Sequence, residues 1–193
     1  LAAKPELPII PFASREAWET WLDGQHAVSE GLWLKIARKG SGIETVTFAE
    51  ALDVALCYGW IDSQRSGFDG QYFLQRFTPR KPRSKWSKVN RGKVAKLIEA
   101  GRMKPAGLRE VERARADGRW DAAYEPQSTM TVPDDLRLEL EKSEEAREFF
   151  ETLNSANRYA ILHRIQDAKK PETRARRIAK FVAMLAERKK LYP

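Results

Sequence analysis

The 193 residues, 42% of them hydrophobic with six Trp and eight Phe, suffice for a compact domain with an appendage or for two small domains, and exclude a disordered chain. One cysteine, Cys57, excludes an internal disulfide, and two distant histidines, His26 and His163, leave no zinc-binding spacing. The net charge of +8 favours an anionic partner, and no apolar run approaches the roughly 18–20 residues of a membrane span.

Residues 1–13 read as an extended lead-in held by prolines, without the apolar h-region of a signal peptide; a reducing cytoplasm is the expected compartment. Ser14 offers a cap to a short helix carrying Ala17, Trp18, Trp21 and Leu22 and ending at Gly24. Leu32, Leu34 and Ile36 then alternate with Trp33, Lys35 and Ala37, which is strand period. Lys39-Gly40-Ser41-Gly42 matches neither GxGxxG nor GxxxxGK[ST] and reads as a plain turn. Thr47 with Glu50 three residues on is a capping box that opens a helix through Tyr58, with Gly59 as its stop.

Two strands follow, residues 60–65 and 71–77, around the turn at 66–70. With an even register, Trp60, Asp62 and Gln64 would share a face with Tyr72, Leu74 and Arg76. Residues 76–105 hold eleven Lys/Arg against one acid, Glu99, a net +10 in thirty residues against +8 for the whole chain. Pro79 and Pro82 bar regular helix from the start of this block. Ser84 is the expected cap of the next helix, whose apolar stripe is Trp86, Val89, Val94, Leu97 and Ile98.

A basic loop feeding a helix N-terminus favours an anion, because free N–H groups and the positive dipole end point at it. The candidate ligand-binding residues are therefore Trp60, Asp62, Gln64, Arg76, Arg80, Arg83, Ser84, Trp86, Ser87 and Asn90. In this set the arginines clamp oxygens, Ser84 and Ser87 donate hydroxyls, and Trp60 or Trp86 stacks a base. No nucleophile motif, metal spacing or cofactor loop stands out, so no catalytic residue, metal or cofactor is assigned; Asp62 is the sole candidate general base of an alternative, enzymatic reading. The expected partner is a small anion or phosphate-bearing ligand. Nucleic acid bound without sequence readout is the other alternative.

Residues 105–130 contain a short helix with Leu108 and Val111 and a linker. Residues 134–153 then read as one acidic amphipathic helix, followed by a helix capped at Ser155 and a last one opened by Pro171. The expectation is an α+β fold: an N-terminal domain over 1–127, with a small antiparallel sheet and packed helices, and a helical bundle region over 128–193.

Three stretches carry a family resemblance: ALCYGWIDSQ (55–64), RFTPRKPRSKWSKVNRGKVAKLIEAGRMKPAG (76–107) and IQDAKKPETRARRIAKFVAML (165–185). Together they resemble the YdeI/OmpD-associated, or bacteriocin-protection, proteins over roughly residues 8–190. The resemblance implies an association with tolerance of bacteriocins and cationic antimicrobial peptides, and with a porin in the envelope. It implies no catalytic residue. A +8 chain repels a cationic peptide, which argues against direct sequestration.

Overall fold

A computed structural model describes residues 7–126 and 129–193. The chain divides into two compact units, Leu1–Ala123 and Tyr124–Pro193. The lead-in is described from residue 7 only, and the boundary expected at 127/128 falls on residues outside the described set.

The first unit is built on a four-stranded sheet of order β1-β2-β4-β3, with β1 at Ile9–Pro11, β2 at Leu32–Ala37, β3 at Trp60–Gly67 and β4 at Tyr72–Pro79. β2, β4 and β3 pair antiparallel as expected, but β1 pairs parallel to β2, so the sheet is mixed. A three-residue strand ending in proline shows no alternation, which is why the lead-in concealed it. Leu32, Leu34, Ile36 and Phe77 lie on the sheet face that joins the core with Trp18, Trp60 and Val94. Around it pack α1 (Arg15–Gln25), α2 (Phe48–Cys57), α3 (Lys88–Glu99) and α4 (Pro105–Ala116).

Local chemistry sets the helix ends. Ser14 accepts from the Ala17 amide at 3.2 Å, and Thr47 and Glu50 form the full capping box. Thr47 N and Oγ1 both donate to Glu50 Oε2, at 2.9 and 2.7 Å, and these bonds hold the Glu50 carboxyl below its usual range. Gly59, at φ +74°, lets the chain turn from α2 into β3. Gly107 lets α4 lie close against the end of α2. A Cβ there would stand 2.2 Å from the Cys57 carbonyl oxygen.

The second unit holds α5 (Asp134–Leu140), α6 (Glu144–Thr152), α7 (Ser155–Gln166) and α8 (Pro171–Ala186) around Leu136, Phe150, Ile161, Ile178 and Leu185. The single helix expected over 134–153 is two, because Ser143 accepts from the Ala146 amide and starts a new one. Asn154, not Ser155, caps α7. Asn157 is 1% exposed and fully engaged: its Oδ1 accepts from the amides of Leu191 and Tyr192 at 3.0 and 2.9 Å. Its Nδ2 donates to Asn154 Oδ1 and Tyr192 O.

Two stability outcomes follow from these contacts. Gly107→Ala forces a methyl into a backbone oxygen and should cost about 3 kcal/mol, read as a fall in the urea midpoint with an unchanged slope. Asn157→Ala strips two amides of their acceptor and should cost about 2 kcal/mol in the same assay.

Candidate functional site

β4 alternates Arg76 and Thr78 onto the sheet face opposite Phe77, and the chain then stiffens through Pro79 and Pro82. A cleft of about 520 Å³ opens at this end of the strand, lined by Glu30, Ser63, Arg76, Thr78, Arg80 and Lys81 among others. Three cationic residues thus share the lining with one acid and two hydroxyls. This set suits a phosphate or carboxylate, whose oxygens accept charge-assisted hydrogen bonds.

Arg80 is the most constrained cation. It is 6% exposed, its guanidinium carbon lies 3.5 Å from the centre of the Trp86 ring, and its Nη1 donates to Lys85 O at 3.1 Å. Arg76 donates through Nη1 to Gln64 Oε1 at 3.3 Å, which places Gln64 beside the cleft, while its buried Nε makes no hydrogen bond among the described residues. Arg76 and Arg80 are therefore brought together, with Gln64 next to them.

The other candidates lie elsewhere. Trp60 is 1% exposed, donates Nε1 to His26 O at 3.2 Å and packs edge-on against Trp18 and Trp21, so it offers no face to a base. Trp86 is equally enclosed, between Arg80 and the Trp120 ring at 4.9 Å. Arg83 is exposed and does not line the cleft. Ser84 is not a helix cap: its Oγ accepts from the Lys81 amide at 2.9 Å, closing a turn, and its carbonyl accepts from Arg119 Nη1. Ser87 is the cap, accepting from the Asn90 amide at 3.1 Å; both are buried. The helix begins later than Ser84 suggests because residues 84–86 take no regular structure and Trp86 is buried ahead of the Ser87 cap. The same shift of phase leaves Val89 and Ile98 exposed.

Asp62 lies on the core side of the sheet, opposite Phe77, whereas its neighbour Ser63 lines the cleft. A bulge between Asp62 and Arg65 breaks the even register expected for the hairpin, so Tyr72, Leu74 and Arg76 do not share the face of Trp60 and Asp62. Burial raises the Asp62 carboxyl above its usual range, against the opposing pull of Arg80 and Arg65. Glu30, Ser63, Thr78 and Lys81 were not singled out from the sequence. Thr78 and Lys81 sit inside or beside the basic block and were within reach; Glu30 and Ser63 carry no signal, since the β3 bulge and the turn before β2 place them.

Comparison with known proteins divides the chain along similar lines. Residues 10–110, more than half of it, match the family model of the domain of unknown function DUF8412. The chain belongs to that family. Residues 129–188 match the model described as bacteriocin-protection, YdeI or OmpD-associated. Of the three stretches that carry the resemblance, IQDAKKPETRARRIAKFVAML lies within this second match, and the other two lie within the first. No curated protein and no solved structure matches the chain. Among the described residues, no helix is long and apolar enough to cross a membrane.

A carboxyl raised by burial taxes the folded state only while ionised. Asp62→Asn should therefore stabilise the protein at neutral pH, and the gain should shrink as pH falls through the ordinary carboxylate range. Urea melts of both proteins between about pH 4 and 8 check the sign.

Proposed function

We propose that the protein binds a small phosphate-bearing anion in the cleft at the end of β4, without catalysis. The observation behind this reading is the convergence of Arg76, Arg80 and Lys81 on one concavity faced by a single acid, Glu30. Hydroxyls of Ser63 and Thr78 line the same space and can complete the shell of a tetrahedral oxyanion. The second unit's match to the model described as bacteriocin-protection, YdeI or OmpD-associated, supports reading this binding in the setting of bacteriocin tolerance. At +8 the chain repels cationic peptides, so protection on this reading follows from the anion it binds and not from capture of the peptide.

The test uses Arg76→Gln/Lys81→Gln, because Arg80 is packed on Trp86 and its loss would confound binding with folding. Inorganic phosphate, nucleotides, polyphosphate and short RNA are titrated calorimetrically into both proteins at two salt concentrations. Saturable binding of a small phosphate compound, weakened about tenfold or more in the double variant, is the expected result. Equal affinity in both proteins removes the cleft from the argument. A response confined to polymers and collapsing steeply with salt replaces this reading with nucleic-acid binding.

A further inference from the structure

At the other end of the sheet, away from the basic block, lies a second concave region that the proposal above does not use. It comprises two adjoining hollows of about 630 and 370 Å³ that share Arg38, Lys39 and Phe73. The floor is apolar, formed by Ile36, Ile43, Phe48 and Phe73. The rim is cationic, formed by Arg38, Lys39 and Arg65, with Glu44 the one acid.

Arg65 is held in place before any ligand arrives. Its guanidinium carbon lies 4.4 Å from the centre of the Phe73 ring and 5.0 Å from that of Phe48. Its Nε donates to Gln75 Oε1 at 3.2 Å, and Gln75 is itself 2% exposed and anchored by donating Nε2 to Gln64 O at 3.1 Å. Its guanidinium thus rests against two rings with one nitrogen bonded, and its two terminal amino groups make no hydrogen bond among the described residues. A pre-oriented guanidinium loses little freedom when it takes up an oxyanion. Of the nearby hydroxyls, Thr45 Oγ1 is committed, accepting from the Ala37 amide while donating to Val46 O, whereas Ser41 Oγ accepts from the Ile43 amide and keeps its own proton to offer. The start of α2 is closed by its own Glu50 carboxylate. Selection of charge falls to the cations Arg65, Arg38 and Lys39, and selection of shape to the aromatic floor.

We infer that this groove binds a small amphiphilic anion, an aryl or acyl body bearing a phosphate or carboxylate, with Arg65 as its principal anion-gripping residue. The site is separate from the β4 cleft and stands or falls independently of it.

The test titrates phenyl phosphate, benzoate, inorganic phosphate and phenol calorimetrically into the full chain carrying Arg76→Gln/Lys81→Gln, in which the β4 cleft has lost its two accessible cations, and makes each further substitution in that background. Saturable binding of phenyl phosphate or benzoate is expected, with the preferred head group read from the stronger of the two. Inorganic phosphate and phenol, which each engage half the groove, should bind at least about tenfold more weakly. Arg65→Met should weaken the aryl anion about tenfold, and Lys39→Gln, at an exposed residue, should weaken it less but in the same direction. The inference is overturned if neither aryl anion saturates, or if Arg65→Met and Lys39→Gln both bind normally.

Discussion

The contact on which the first unit's basic segment depends is the guanidinium of Arg80 over the ring of Trp86. Eleven like charges within thirty residues repel one another, and a solvated loop would spread them. Trp86 instead sinks into the core, 2% exposed, and carries Arg80 down with it, 3.5 Å from the ring centre. A buried cation–π pair contributes about 2 kcal/mol, enough to hold a charged side chain at a depth it would otherwise avoid. The turn at 81–84, the Arg119 bond to the Ser84 carbonyl and the late start of α3 at Lys88 all accommodate that anchor. The cleft exists because the chain has to leave β4 and descend to Trp86 within seven residues.

Much of this architecture was legible beforehand wherever it rests on local chemistry. The Thr47/Glu50 capping box, the Ser14 cap, the stop at Gly59 and the proline opening α8 each act within one turn of helix, and each lies where the residues place it. The β3/β4 hairpin was legible as two strands, but not in its facing, because one bulged residue reverses every side chain beyond it. Parallel β1 was hidden, since its pairing with β2 is decided by tertiary packing over a separation of more than twenty residues.

The candidate sites divide in the same way. Charge density along the chain pointed to Arg76 and Arg80, which meet at the cleft. It also pointed to Arg83, which projects elsewhere, since density along a chain carries no information about direction. The aromatic residues misled for a related reason: a tryptophan beside arginines reads equally as a stacking platform or a core anchor, and Trp60 and Trp86 are both anchors. Arg65 drew no notice because what fixes it, Gln75 and Phe73, belongs to the neighbouring strand.

The two margins of the sheet bear on how copies of this chain behave when crowded together. One margin is β1, three residues long and closed by Pro11, which lacks the amide that a docking strand would need. The other is β3, where the bulge between Asp62 and Arg65 interrupts the row of outward amides and carbonyls. A foreign strand laid along either margin would find few partners before the ladder failed. The sheet thus resists growing into the extended intermolecular stacks from which fibrils start, and it does so through backbone irregularity, with no help needed from the charge on its surface.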